Sequence, residues 1–126
     1  CASAKGNAQL SDLAERLEKA NGELKAATMW FMQNGMANPE NVGAGAHHYM
    51  HIMGIVALGL QWLRMAEAAS LALSNGREPK AFYETKLVTA RYFAERIMPD
   101  AGALRRKIEA GSEAIMALNP EMFAVA

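Results

Sequence analysis

The chain has 126 residues, 52% of them hydrophobic and 21% charged, with thirteen basic side chains balanced by thirteen acidic ones. That length is one domain, able to hide roughly two thirds of its unfolded surface, and the composition excludes disorder. Zero formal charge gives no electrostatic reason to expect nucleic acid or an anionic membrane as a partner, and a lone cysteine, Cys1, excludes a disulfide scaffold.

Cys1 is not an initiator Met, and Cys1-Ala2-Ser3-Ala4-Lys5-Gly6 lacks the basic-then-apolar order of a signal peptide. The sequence therefore reads as one helical domain over 1–126, cut from a longer chain, with a cytoplasmic location expected. The first predicted helix spans about 8–34 and carries Leu10, Leu13, Leu17, Ala20, Leu24, Ala27 and Phe31 at alternating spacings of three and four. Asp12 with Arg16 and Glu15 with Lys19 stand four apart on its solvent side, acid first. Asn34-Gly35 and Asn38-Pro39 close it and open the second, about 43–75, which Asn75-Gly76 ends.

That second helix is unusual. Between Asn41 and Asn75 its only charged residues are Arg64 and Glu67, and apolar residues cover every face. Val42 to Leu63 has no acidic or basic residue, but His47, His48, His51, Gln61 and four glycines interrupt it. A membrane span needs about 20 consecutive, predominantly apolar residues, so this reads as a buried helix and no membrane is expected. A third helix, about 80–98, places Tyr83, Leu87, Ala90, Ala94 and Ile97 on a seam. A fourth, about 100–118, does so with Ala101, Leu104, Ile108, Gly111, Ile115 and Leu118. Seams of this period pack helices about 20° from parallel, and short loops reverse direction at each step. The expected fold is all-α, an antiparallel up-down-up-down four-helix bundle.

A helix apolar all round needs cover from outside a lone bundle. Met29 and Trp30 on the first helix, with Phe82 and Phe93 on the third, lie off the seams and add to the excess. They form a candidate docking face for another subunit or for the remainder of a longer chain.

The conspicuous polar group is His47-His48-Tyr49-Met50-His51. His47 and His51 share a helix face and could offer two nitrogens to one metal, but a zinc site takes a third protein ligand and none sits nearby in sequence. A di-iron bundle would need Glu-x-x-His twice, and haem attachment has no Cys-x-x-Cys-His. No serine has a paired base visible in sequence, and Gly43-Ala44-Gly45-Ala46 follows no strand and precedes no Lys-Ser/Thr. The residues thus give no catalytic assignment. One reading left open is a free-standing bundle binding a metal or haem through His47 and His51.

Further along, Phe82-Tyr83-Glu84-Thr85-Lys86-Leu87-Val88-Thr89-Ala90-Arg91-Tyr92-Phe93-Ala94-Glu95-Arg96, followed by Met98-Pro99, resembles the extra C-terminal helical domain of long acyl-CoA dehydrogenases. So does Tyr49-Met50-His51-Ile52-Met53-Gly54-Ile55-Val56-Ala57-Leu58-Gly59, leading on to Trp62, Arg64, Met65 and Ala66. The run Leu104 to Leu118, with Ala110-Gly111 inside it, fits as well. The likeness covers about 43–118, and more loosely the first helix. It implies a parent enzyme that uses FAD to dehydrogenate an acyl-CoA thioester, a glutamate taking the α proton while the β hydrogen leaves as hydride. It also implies that flavin and glutamate belong to preceding domains. No position here matches that glutamate, and no cofactor is expected in this segment. The implied partners are the rest of the parent chain and the subunits of a homodimer or homotetramer, with acyl-CoA reached through the parent. The His47-His48 pair departs from the family pattern.

Overall fold

The structure, a computed structural model, describes residues 2–125, and side-chain surroundings over 8–125. It contains α1 (Ala2–Asn34), α2 (Pro39–Ser74), α3 (Lys80–Arg96), α4 (Asp100–Glu109) and the single turn α5 (Pro120–Phe123). No strand occurs among the described residues. The protein is an all-α bundle, as the periodicity requires.

Local chemistry sets the boundaries. Asn38 caps α2, its side chain accepting from the Glu40 amide at 3.1 Å, and Pro39 occupies the first turn, where no amide proton is needed. The helix therefore begins four residues before its predicted start. It ends on Gly76, whose φ of 67° is left-handed. There the amides of Gly76 and Arg77 donate back to Leu73 and Ala72, consuming carbonyls the helix would leave bare.

The third break behaves differently. Pro99 has no amide proton to give to the preceding turn. Ile97 and Met98 both donate to the Phe93 carbonyl at 3.0 Å, and the helix restarts at Asp100 without turning round. Directions follow from what lies beside what. Gln9 donates to the Leu87 carbonyl, Arg16 to that of Ala94, and Glu23 pairs with Arg105. Rising numbers on α1 thus meet rising numbers on α3 and α4, so both run parallel to α1. The predicted final reversal is corrected: α3 and α4 form one interrupted column, and α2 runs antiparallel to it and to α1. The loop is too short and the proline too mild a break to fold α4 back.

α2 touches α1, α3 and α4, with Phe31 and Ile108 beside Gly45, Leu17 and Met98 beside Gly59, and Phe93 beside Trp62. Its innermost residues recur every seven: Gly45, Ile52, Gly59 and Ala66. A methyl group on Gly45 would meet the Phe31 ring at 2.8 Å, and one on Gly59 would meet Leu17 at 3.0 Å and Met98 at 3.4 Å. Small residues here let three helices close around one line. Alanines dominate the core, and among the described residues only Leu13, Ile52 and Ile108 are large side chains fully hidden.

Two further expectations give way. α4 ends at Glu109 because Gly111 is left-handed at φ 73°, so Ile115 and Leu118 do not extend its seam and stand 65% and 55% exposed. Nor is α2 the buried helix expected over Val42 to Leu63. It is long and apolar enough by composition to cross a membrane, but only 22% of its most apolar window is buried. On the solvent side of α1, Arg16 pairs with Asp12 at 2.9 Å as its spacing predicts.

Candidate functional site

The register that turns Gly45, Ile52 and Gly59 inward sends larger neighbours outward. Met50 and Met53 stand on the flank of α2 beside α1, 60% and 49% exposed. With Val42, Ala46 and Tyr49 they form one wall of an open groove of about 520 Å³. Thr28, Phe31 and Met32 of α1 form the other, and Met36 closes the end. The floor is polar but satisfied. Thr28 donates its hydroxyl to the Leu24 carbonyl at 2.9 Å and receives the Tyr49 hydroxyl at 2.7 Å, while the Tyr49 ring meets Phe31 edge-on at 5.1 Å. What the groove presents is thioether and ring surface, which adapts to an apolar occupant.

Beyond the groove lie the histidines. His47 and His51 are exposed and His48 is half-buried against α4. The His47 ring lies 4.4 Å from His51 and 5.6 Å from His48, centre to centre. Partial burial holds the His48 imidazole below its ordinary pKa, with Lys107, His47 and His51 acting in the same direction. On another side, an open charged groove of about 500 Å³ runs between α1 and the α3–α4 junction, lined by Asp12, Arg16, Glu23 and Arg106 among others. Arg105 next to it is clamped between Glu23 and Glu109, which raises its pKa.

The family described as acetyl-CoA dehydrogenase C-terminal like matches residues 1–119. The chain belongs to that family. It is 30% identical over 115 residues to a broad-specificity linear acyl-CoA dehydrogenase, FadE5, of Mycobacterium tuberculosis, covering 88% of this chain and 19% of that protein. It is 27% identical over 104 residues to a 3-methylmercaptopropionyl-CoA dehydrogenase of Ruegeria pomeroyi, covering 82% of this chain and 18% of that protein. The chain thus spans about a fifth of the length of these curated relatives.

Acyl-CoA dehydrogenases in general use FAD, and no flavin-binding residue is identified in this chain. No buried side-chain nitrogen or oxygen among the described residues lacks a partner. In the charged groove Arg16 is taken by Asp12 and Glu23 by Arg105. No step of flavin chemistry is assigned to this chain. Among the described residues no group of three or more His, Cys, Asp or Glu side chains could hold a metal ion, which disfavours the free-standing metal or haem bundle built on His47 and His51.

The four docking-face residues separate. Met29 and Phe82 are exposed, at 52% and 54%. Phe93 is buried beside Trp62, ring centres 6.5 Å apart, and Trp30 is half-buried against Phe31 and Gly111. Phe93 is therefore core, since α3 turns Ala90, Phe93 and Ala94 inward together and not Leu87, Ala90 and Ala94 alone. The groove itself was missed. Four of the nine methionines line it, and their spacing across two helices and a turn was the available signal.

Proposed function

We propose that this chain is the non-catalytic C-terminal helical domain of an FAD-dependent acyl-CoA dehydrogenase of fatty acid metabolism, serving to pack on the enzyme's main body and to assemble its subunits. The observation that carries this reading is the family match over 1–119 in relatives about five times longer. The exposed apolar flank of α2 supports it, because a helix with Met50, Met53, Leu58 and Leu60 in water is short of cover. In this reading the parent chain binds flavin and acyl-CoA, this domain contributes no reacting group, its partners are protein and not nucleic acid or membrane, and the enzyme works in the cytoplasm.

The test is made on the complete protein encoded by the same reading frame. It should purify yellow and reduce an electron acceptor with an acyl-CoA. Replacing His47 and His51 together by Ala should leave turnover unchanged, and deleting the domain should change the sedimentation coefficient. A colourless parent without dehydrogenase activity overturns the reading, as does loss of turnover with assembly intact in the histidine variant.

A further inference from the structure

The sequence holds three Asn-Gly pairs, at 21–22, 34–35 and 75–76. An asparagine followed by glycine is chemically fragile, because a residue without a Cβ leaves its amide nitrogen open to the preceding side chain. That nitrogen reaches the carboxamide carbon only when ψ of the asparagine swings out of the helical range. The dipeptide is the same in all three places, so the fold decides which of them reacts.

Asn21 lies well inside α1, and turning its ψ would break helix bonds on both sides. Asn34 ends α1 but is clamped. Its carboxamide donates to the Trp30 carbonyl at 3.0 Å, and its own carbonyl accepts from the Asn38 amide and the Asn41 side chain, both at 3.2 Å. The Gly35 amide donates to the Phe31 carbonyl at 2.7 Å. Gly35 is buried, and a methyl group there would lie 2.6 Å from Val42. Asn75 has neither protection. At ψ 5° it has already left the regular helix, and both it and Gly76 are exposed. A methyl group on Gly76 would meet nothing within 4 Å. The bonds that hold this turn are the last of α2, Gly76 and Arg77 donating to Leu73 and Ala72 at 3.1 and 3.0 Å. Helix ends open at far less cost than helix interiors.

We propose that Asn75 is a site of self-modification, its carboxamide closing on the Gly76 amide to a cyclic imide that water opens to aspartate or isoaspartate. The Gly76 amide gives up its proton, and its nitrogen bonds to Cγ of Asn75. The bond from Cγ to the side-chain nitrogen breaks, and that nitrogen leaves with the proton as ammonia. Water then adds to either carbonyl of the imide and restores an open chain. The new carboxylate stands at the C-terminal end of α2, where the helix dipole is already negative and the last turn holds no basic residue. Isoaspartate also lengthens the backbone, which throws the Gly76 and Arg77 bonds to α2 out of register. Modification therefore loosens the α2–α3 turn, whatever role the domain plays in assembly.

The experiment is ageing of the complete protein in mildly alkaline buffer, where the amide proton leaves more readily, followed by peptide mass spectrometry and enzymatic labelling of isoaspartate. Asn75 should be converted about tenfold or more faster than Asn21 and Asn34. In urea the three should react at similar rates, since each is then the same dipeptide in an open chain. Asn75→Gln should remove the fast-forming product and leave the other two sites as they were. In aged protein, hydrogen exchange should quicken at Gly76 and Arg77 and not at Gly35; unchanged exchange overturns the loosening. Similar rates at the three pairs in the folded protein, faster conversion at Asn21 or Asn34, or an Asn75 that stays intact until urea is added overturns the proposal.

Discussion

The central line of α2 and its outer face differ in the size of their residues. The line of α2 fully buried against the other helices includes Gly45, Ile52, Gly59 and Ala66, with Tyr49, Ile55, Val56, Trp62 and Leu63 packed beside the core, while the face toward water holds Met50, Met53, Leu58 and Leu60. Hydrophobicity alone does not separate them, because both faces are apolar. Size does along the central line: small residues there let α1 and the α3–α4 column approach until their own side chains meet, and the larger Tyr49, Ile55, Val56, Trp62 and Leu63 pack along its edges. A helix of this kind is bundle core on one side and exposed apolar surface on the other.

The comparison can be broken most directly at Ile52 and Met53, adjacent in sequence, one buried and the other half in water. Ile52 is fully hidden, so Ile52→Ala should cost about 3 kcal/mol. Met53→Ala, half in water, should change the stability of the isolated chain by no more than about 0.5 kcal/mol. Urea titrations of the two variants should show that gap, and equal losses would mean that the outer face is covered in the free chain. Glycines give the next contrast. Gly111 is left-handed, and a methyl group there would lie 3.2 Å from the Asn41 carboxamide oxygen, so Gly111→Ala should cost about 1–2 kcal/mol. Gly54 is right-handed in mid-helix with nothing within 4 Å, and Gly54→Ala should stabilise the isolated chain by about 0.5–1 kcal/mol.

The smallest effect is electrostatic. His48 in the folded state protonates below the ordinary value of about 6.5, so the unfolded chain takes up the proton first. The stability this confers is present above that value and declines as pH falls through it. His48→Gln should flatten the drop in urea midpoint between about pH 7.5 and 5.5, and Lys107→Gln should reduce it less, since partial burial is the larger cause.

Helix existence and most boundaries were legible because they rest on local chemistry. Asn38-Pro39 and Asn75-Gly76 act within a turn of themselves, and the inward positions of α1 follow from spacing alone. The end of α4 was not legible from the seam, because Ile115 and Leu118 continue the spacing beyond a glycine whose left-handed backbone had already stopped the helix. Ala110-Gly111 carried that signal, and periodicity spoke against it. Of the four off-seam residues, Met29 and Phe82 are exposed but Phe93 is core, since a seam of spacing three and four cannot say how wide a buried stripe will be. The groove depended on residues from two helices and a turn, which no single periodicity joins.

From its sequence the protein could only be an all-α domain with one helix too apolar for its place, because helix formation and amphipathicity are properties of short stretches. The direction of α4, the small-residue line that buries one face of α2, and the groove between α1 and α2 were decided by the tertiary structure. Each depends on which distant segments share a neighbourhood, and on how closely their backbones come together.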